Sequence, residues 1–234
     1  MKYYPVCLDI RERPCVVVGG GEVAARKVER LLECGAAVTV VAGELGDMLR
    51  ELAAAGRIRH VAADYEARYL AGAFLVIGAT DREEVNDRIA ADCRAGGILV
   101  NVVDDPRRCD FILPALLTRG SLSIAVATDG KSPALARKLR RELAGQFGPE
   151  YAAYLDLLGR LRELVIAAGR SPDENREVFT ALVNSPLYDH LRAGRREEAR
   201  ALIRDLTGLE VESIFMSGPE VKLPPVPGAS ATME

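Results

Sequence analysis

The first half of the chain alternates short apolar runs with longer amphipathic stretches. Five runs are rich in β-branched residues, and the intervals between them are long enough for helices. They cover residues 15–18, 37–41, 73–77, 98–103 and 122–127. Four of the five are nearly continuous in apolar residues, which is typical of parallel strands covered by helices on both faces. The pattern over residues 1–127 therefore predicts an α/β fold built on a doubly wound parallel sheet.

From residue 130 onward, signals for helix starts replace the strand pattern. Ser132-Pro133, Ser171-Pro172 and Ser185-Pro186 each place a capping hydroxyl before a proline that suits the first helical position. With Glu174, the second pair also has the spacing of a capping box. Apolar side chains then repeat every three or four residues, at Tyr151, Tyr154, Leu155, Leu158, Leu161, Val165 and Ala168. These features predict a small helical domain, followed by one strand at residues 211–215.

The composition narrows the class of protein. The 234 residues carry 31 basic and 34 acidic side chains, a formal net charge of −3, which gives no basic field for nucleic acid. The apolar runs are far shorter than the roughly 20 residues that span a bilayer. Five cysteines without a C-x-x-C pair, and only two histidines, argue against a disulfide framework or a metal cluster. We expect a cytoplasmic protein with no nucleic-acid partner, no membrane partner and no bound metal.

The strongest local signal is Gly19-Gly20-Gly21-Glu22-Val23-Ala24, which fits G-x-G-x-x-A directly after a predicted strand. In this motif Gly19 permits a tight turn, Gly21 lets the backbone approach a pyrophosphate, and Ala24 lets helix and strand pack closely. The helix that follows is expected to end near Gly35, whose backbone tolerates a left-handed cap. The motif indicates dinucleotide binding, and a plain tight turn between strand and helix is the alternative.

One part of the dinucleotide pattern is missing from its usual place. An acidic residue that binds the ribose hydroxyl is expected about 20 residues after the glycines. Thr39, Val40, Val41 and Ala42 stand there, and the nearest acid is Glu44. The sequence therefore leaves the choice between NAD and NADP open, with NAD as the preference.

Polar residues follow two further predicted strands. Asp104 comes after the run at 98–103, at a carboxyl end where ligands bind in open α/β sheets. It suits a general base tuned by partial burial and nearby charge, and it equally suits an Asp-Pro turn with Asp105 and Pro106. Thr80, after the run at 73–77, is a second candidate for lining a cofactor cleft.

A third candidate site lies at the start of the helix predicted from Ser132. Gly130-Lys131-Ser132 looks like the end of a P-loop, but Ala125 stands where that motif needs its first glycine. The helix start itself still suits an anion. Its basic face is either solvated surface or a clamp for a polycarboxylate, and it carries Arg137, Lys138, Arg140 and Arg141. The opposite stripe is expected to pack inward and consists of Leu135, Leu139, Leu143 and Phe147.

Five ordered motifs point together to one family. They are Val17-Val18-Gly19-Gly20-Gly21 with Val23-Ala24 and Arg26-Lys27, Ala79-Thr80-Asp81 with Asn86, Asn101-Val102-Val103-Asp104, Phe111-Ile112-x-Pro114, and Gly130-x-Ser132-Pro133-x-Leu135-Ala136-Arg137. In these motifs the chain resembles the siroheme synthase N-terminal module, the precorrin-2 dehydrogenase and sirohydrochlorin ferrochelatase family. The resemblance is strong over residues 3–145 and weak over the helical remainder.

The resemblance implies NAD-dependent oxidation of the tetrapyrrole precorrin-2 to sirohydrochlorin. In bifunctional members ferrous iron is then inserted, so Fe2+ would be a substrate and not a structural metal. Asp104 matches the catalytic aspartate. The expected cofactor contacts are Gly19, Gly20, Gly21, Glu22, Val23, Gly43, Glu44 and Thr80. The expected substrate contacts are Thr128, Ser132, Arg137, Lys138 and Arg141.

The resemblance also implies a homodimer of the stand-alone form, without a methyltransferase region. We expect a Rossmann-like NAD-binding domain over residues 1–113 and a dimerisation and substrate-binding segment over 114–148. A helical C-terminal domain is expected over 149–216. A tail over 217–234, which contains Pro219, Pro224, Pro225 and Pro227, is expected to be disordered.

Two other functions fit parts of the sequence. A small-carbonyl reductase would share the cofactor domain, but no tyrosine here is followed four residues later by lysine. A non-catalytic nucleotide-sensing module would need only the glycine turn. Such a sensor would leave Asp104 and the basic helix without a role, and it would bind nucleotide but no macrocycle.

Overall fold

The computed structural model describes residues 2–210, and the chain divides into two compact units between Leu113 and Pro114. The strand expected at 211–215 and the tail expected at 217–234 lie outside the described residues. Within residues 2–210, none of the helices combines the length and the apolar character that a membrane crossing requires.

The first unit is built on a five-stranded sheet in which all neighbouring strands run parallel. Its strands are β1 (Pro14–Val18), β2 (Ala37–Val41), β3 (Arg59–Val61), β4 (Leu75–Gly78) and β5 (Leu99–Val102), in the order β3-β2-β1-β4-β5. Its helices are α1 (Glu22–Glu33), α2 (Asp47–Ala54) and α3 (Glu83–Gly96), with short 3₁₀ turns at Ala67–Leu70 and Pro106–Arg108. The strand order reverses between β1 and β4, which is where open α/β sheets bind ligands.

Helices cover both faces of this sheet. Side chains of α1 and α2 share one core with Val17 of β1, whereas side chains of α3 share the other core with Val16 and Val18. This division follows from the strand geometry, because successive side chains point to opposite faces. The doubly wound Rossmann-like fold predicted from the nearly continuous apolar strands is confirmed.

Helix α1 begins and ends where the glycines predict. Gly21 is its N-cap with extended backbone, and its last residue is Glu33. Gly35 then adopts a φ of +75°, and its amide donates to the carbonyl oxygen of Leu32 at 3.0 Å. Glycine enters this left-handed region without a steric penalty, which is why it ends the helix here.

The prediction for the last apolar run, 122–127, is wrong in one respect. The strand it forms, β7 (Leu122–Val126), does not join the parallel sheet but pairs antiparallel with β6 (Ala115–Arg119) in the second unit. Half-buried and exposed side chains alternate along β7, which is the pattern of a hairpin with one covered face. The fifth strand of the sheet is β3, which the sequence did not reveal because it has three residues and contains Arg59 and His60.

The second unit continues from this hairpin into helices. Within its described residues these are α4 (Pro133–Gln146), α5 (Glu150–Ala167), α6 (Pro172–Asn184), α7 (Leu187–Arg192) and α8 (Arg196–Thr207). Their core is formed by Tyr154, Leu157, Leu161, Leu182, Leu187, Leu191, Ala199 and Ile203. The helical character of this region, predicted from its periodicity, is confirmed.

The serine caps follow the prediction with one small shift. Ser132 accepts a hydrogen bond from the amide of Leu135, and Ser171 forms the complete capping box with Glu174. Helix α7 begins at Leu187, one residue later than expected, and Ser185 accepts from the Leu187 amide at 3.3 Å. Ser185 serves both helices, because its hydroxyl also donates to the carbonyl oxygen of Leu182, the last buried residue of α6.

Two predicted apolar stripes differ from the structure. In α5 the buried face differs slightly from the predicted one: it includes Leu157, which was not predicted, and it lacks Ala168, which is exposed. In α4 the first half of the expected inward stripe is open, since Leu135 is 46% exposed and Leu139 is 36% exposed, whereas Leu143 and Phe147 are half-buried. The hairpin packs on α4, and within that helix the buried residue is Ala136. The covered face of α4 is therefore the one that carries Ala136, and Leu135 and Leu139 lie outside it.

Candidate functional site

The glycine turn after β1 is shaped by contacts that exclude side chains. Gly19 has a φ of +126°, and a Cβ on it would lie 2.2 Å from the carbonyl oxygen of Ala79. A Cβ on Gly20 would lie 2.0 Å from the carbonyl oxygen of Glu44. Both distances are far below van der Waals contact, so backbone packing alone requires glycine at these two positions.

The third glycine of the turn faces open space instead. A Cβ on Gly21 would meet no atom within 4 Å, and the same is true of Gly43 in the loop after β2. Glu22 and Val23, in the first turn of α1, are exposed beside it. The amides at a helix start lack partners within the helix and carry partial positive charge. Space next to such amides fits a pyrophosphate, so the residues present fit a dinucleotide.

The loop after β2 supports the glycine turn. The Gly19 amide donates to the carbonyl oxygen of Val41 at 2.9 Å, and the Gly46 amide donates to that of Gly20 at 2.8 Å. Glu44, the acid nearest to the position where a ribose-binding acid is usual, is exposed on this loop. The sequence did not reveal that His60 of β3 also holds the loop, since its Nε2 lies 2.9 Å from the carbonyl oxygen of Ala42. No motif links residues 18 positions apart in this way.

Thr80 is fixed in the loop after β4 by a buried amide. Asn86 of α3 is 7% exposed, and its Nδ2 donates to the Thr80 carbonyl oxygen at 3.0 Å. The Thr80 hydroxyl donates to the Asn86 Oδ1 at 3.0 Å and accepts from the Arg82 amide at 3.2 Å. Thr80 therefore follows β4 at the same sheet edge as the glycine turn, in one defined orientation.

Asp104 follows β5 at this edge and adopts a left-handed backbone with a φ of +63°. Such a conformation is uncommon outside glycine, and aspartate is among the residues that tolerate it best. Its side chain is exposed and not partly buried as expected. Among residues 2–210, its carboxylate forms no hydrogen bond and no ion pair within 4.0 Å. It is therefore available to an incoming group.

Lys27 of α1 lies within electrostatic reach of Asp104. Burial, aided by the neighbouring Arg26, lowers the pKa of the Lys27 ammonium, while the Asp104 carboxylate opposes that shift. The sequence showed Lys27 only as part of the Arg26-Lys27 motif. The structure places it on the half-buried side of α1, where it puts a positive charge near the exposed carboxylate.

The candidate residues of the second unit fall into two groups. Thr128 and Ser132 lie together, because the Thr128 hydroxyl accepts from the Ser132 amide at 3.2 Å. Asp129 and Gly130 between them adopt left-handed backbones, with φ of +51° and +79°. This turn leads into α4, where the Ser132 hydroxyl oxygen caps the helix by accepting from the Leu135 amide and keeps its own O–H as a donor.

The basic face of α4 forms the other group. Arg137, Lys138 and Arg141 are all exposed, and Lys138 lies 3.7 Å from Glu142. Within residues 2–210 no three His, Cys, Asp or Glu side chains cluster in a way that would hold a metal ion. The exposed cations on α4 suit a multiply charged anion, since each can donate a charge-assisted hydrogen bond.

Two family models match the chain. Residues 6–115 match an NAD(P)-binding family, and residues 119–146 match the sirohaem biosynthesis protein central family. The first match covers the sheet with the glycine turn and Asp104. The second covers the end of β6, β7, the Thr128 turn and α4 up to its last residue.

Curated relatives and a solved structure give the same assignment. The chain is 39% identical over 200 residues to a siroheme synthase of Methylobacillus flagellatus, covering 86% of this chain and 43% of that protein. It is 40% identical over 203 residues to a siroheme synthase of Methylococcus capsulatus, covering 87% and 43%. The chain thus spans less than half the length of these relatives. A solved structure titled SirC, precorrin-2 dehydrogenase, superposes with a TM-score of 0.74 at 27% identity, covering 88% of this chain and 100% of that one.

Proposed function

The chain belongs to the family of siroheme synthases and precorrin-2 dehydrogenases, and on that premise we propose that it oxidises precorrin-2 to sirohydrochlorin with NAD. The observation that carries the proposal is the pairing of two features at one sheet edge. The helix start at Gly21 opens on empty space, and the Asp104 carboxylate has no partner among the described residues.

The cofactor site in this proposal is the edge formed by the loops after β1, β2 and β4. NAD supplies a hydride acceptor when it is bound. Gly19 and Gly20 let the turn pack against the loops after β4 and β2, Gly21 leaves room for close approach, and the α1 amides bind the pyrophosphate. The remaining contacts come from the exposed loop residues and Thr80. The full set is Gly19, Gly20, Gly21, Glu22, Val23, Gly43, Glu44 and Thr80.

Asp104 is the proton acceptor in this proposal. Oxidation of precorrin-2 removes a hydride and a proton, so a base has to take up the proton. An exposed carboxylate held in a fixed backbone conformation meets that need. The same carboxylate suits removal of pyrrole protons when ferrous iron enters sirohydrochlorin, and iron insertion is the second activity we propose to test.

The second unit supplies the substrate contacts in this proposal. Precorrin-2 carries several acetate and propionate groups, and cations bind carboxylates with charge-assisted hydrogen bonds. Arg137, Lys138 and Arg141 provide the cations, while Thr128 and Ser132 provide polar groups at the start of the same helix.

We also propose that residues 114–148 form the dimerisation segment of a homodimer, with 149–216 as a separate helical domain. The open leucines Leu135 and Leu139 support this, because exposed apolar helix faces favour burial against a second copy. A reducing compartment such as the cytoplasm suits the five cysteines, all of which are unpaired.

The test is an anaerobic assay. Precorrin-2 is generated enzymatically, the protein and NAD are added, and the visible spectrum is followed toward sirohydrochlorin before ferrous iron is added. We expect NAD-dependent oxidation by the wild type and a large loss of kcat in Asp104→Asn, with the Kd for NAD unchanged. Asp64→Asn is the matched control, since Asp64 is an exposed aspartate in the loop after β3.

The outcomes separate the candidate functions. No oxidation with either NAD or NADP, combined with nucleotide binding and no binding of the macrocycle, would replace the enzyme by a nucleotide-sensing module. A normal rate in Asp104→Asn would assign the base to another residue. Iron-dependent spectral change that the protein does not accelerate would restrict its activity to dehydrogenation.

A further inference from the structure

One largely buried guanidinium ties the segment after β5 to the start of α3. The Arg108 side chain is 14% exposed, and its nitrogens lie 2.8 Å from Glu83 Oε2 and 2.8 Å from Asp87 Oδ1. A third contact, at 3.2 Å, reaches Asp105 Oδ2. Asp105 directly follows Asp104 in the chain. Arg108 therefore connects α3, which covers one face of the sheet, to Asp105, the residue next to the proposed base.

The backbone on both sides of Asp104 is already held by the sheet. The Val103 amide donates to the Gly78 carbonyl oxygen at 2.9 Å, and the Asp105 amide donates to that of Val102 at 3.3 Å. The Asp105 side chain then accepts from the Arg107 amide at 3.0 Å. Displacement of the Asp105 carboxylate would therefore change the turn in which Asp104 keeps its left-handed conformation.

The charges of the surrounding side chains explain why the connection between Asp105 and α3 depends on Arg108. Three carboxylates, those of Glu83, Asp87 and Asp105, surround one guanidinium, and without it they would repel each other. The planar fork of arginine can serve several carboxylates at once, which a lysine ammonium does less well. Removal of Arg108 should therefore push Asp105 away from α3.

Arg107 provides the contrast. Its guanidinium donates two hydrogen bonds of 3.2 Å to the Asp105 carboxylate, but the side chain is 88% exposed and reaches Glu83 of α3 only through a longer-range charge interaction, with no ion pair within 4.0 Å. Its backbone carbonyl accepts from Arg94 at 3.0 Å, a bond that a side-chain substitution leaves in place. Arg107 thus neutralises the same carboxylate without fixing it to the helix.

We infer that Arg108 is a positioning residue for Asp104, acting through Asp105 and the α3 carboxylates. The inference rests on the proposed function, in which Asp104 takes up the substrate proton. Arg108 itself contacts neither substrate nor cofactor in this scheme. It keeps the carboxylate aligned with the proton that leaves, and a small misalignment at such a site lowers kcat with little change in binding.

The experiment compares Arg108→Ala with Arg107→Ala in the anaerobic dehydrogenation assay. We expect Arg108→Ala to lower kcat roughly 10- to 100-fold, the range for a misplaced catalytic group, with the Kd for NAD within about twofold of wild type. Arg107→Ala should retain most of kcat. Arg108→Lys, which keeps the charge but not the fork, should fall between them, and it carries the test if Arg108→Ala does not fold.

A double-variant cycle identifies the route of the effect. Asp104→Glu keeps a base but moves it, so Arg108→Ala should cost less kcat in that background than in the wild type. An equal loss of kcat in both backgrounds, or full kcat in Arg108→Ala, would overturn the inference. A normal rate in Asp104→Asn would instead overturn the proposed function of Asp104 and remove the basis of the inference.

Discussion

The amide of Gly46 donates a hydrogen bond of 2.8 Å to the carbonyl oxygen of Gly20. In the same place the Gly20 Cα faces the carbonyl oxygen of Glu44, with no room for a Cβ. The loop after β2 and the glycine turn after β1 therefore form one unit, and the position of each depends on the other. Substitutions in the turn can separate its packing role from its binding role.

Gly20→Ala should damage folding, whereas Gly21→Ala should damage cofactor binding. The first places a Cβ 2.0 Å from the Glu44 carbonyl oxygen, and we expect a loss of about 1–3 kcal/mol of stability, as for overpacking of a rigid site. The second fills open space at a residue with extended backbone, so its melting temperature should stay near wild type while its Kd for NAD rises. Chemical denaturation of each variant measures its stability, and titration with NAD measures its Kd. Equal stability of the two variants would contradict the proposed packing.

Asn86→Ala should loosen the loop that carries Thr80. The variant removes two 3.0 Å hydrogen bonds and leaves the Thr80 carbonyl oxygen without its donor. We expect about 1–3 kcal/mol less stability, the usual effect of an unsatisfied buried group, together with weaker NAD binding. Glu84→Gln, an exposed change in the same helical turn, is the control. Unchanged NAD affinity in a destabilised Asn86→Ala would remove Thr80 from the cofactor site.

Charge reversal on α4 should weaken substrate binding. In Arg137→Glu/Arg141→Glu we expect a higher KM for precorrin-2 and a nearly constant kcat. The difference from wild type should shrink as salt is added, because exposed charges are screened. Arg196→Glu, on the first turn of α8, reverses an exposed charge outside α4 and serves as the control. A KM that stays at the wild-type value would make the basic face of α4 ordinary solvated surface.

Tyr65 should make stability fall at alkaline pH. Burial, and then a 2.7 Å hydrogen bond to Asp92, raise the pKa of its phenol above the ordinary 10.0. A raised folded-state pKa gives stability that is complete below pH 10 and is lost as the pH rises above it. The advantage of wild type over Tyr65→Phe should therefore shrink by about 1.4 kcal/mol per pH unit above 10. Urea unfolding at pH 8 and pH 11 tests this, and a constant difference would contradict it.

Local steric and capping rules explain what the sequence predicted well. The glycine turn, the left-handed cap at Gly35 and the hydroxyl cap at Ser171 each depend on residues within a few positions of one another. The parallel strands were visible because burial on both faces requires nearly continuous apolar residues. The placement of Asp104 and Thr80 at one sheet edge followed from that parallel arrangement.

Features that depend on distant partners could not be predicted in this way. Strand β3 is short and polar. It is a strand because it pairs with β2, and its own residues do not indicate one. In β7 the exposed side chains are Ser123 and Ala125. Because alanine counts as apolar, the sequence of this strand looks like that of a strand buried on both faces. The contacts of Arg108 with Glu83 and Asp87 span 25 and 21 residues, and no periodicity marks them.

The segment after β5 also affects whether the edge of the sheet can pair with another molecule. An uncovered edge strand exposes a row of amides and carbonyls that can pair with another chain. At β5 the Asp110 backbone and carboxylate occupy both hydrogen-bonding groups of Val100, at 2.8 and 3.1 Å, and the Cys109 thiol occupies those of Val102 at 3.2 Å. The opposite edge, β3, has only three residues to offer. The sheet is therefore closed to growth by strand addition along β5, and the residues that close it lie in the same short loop as Asp104.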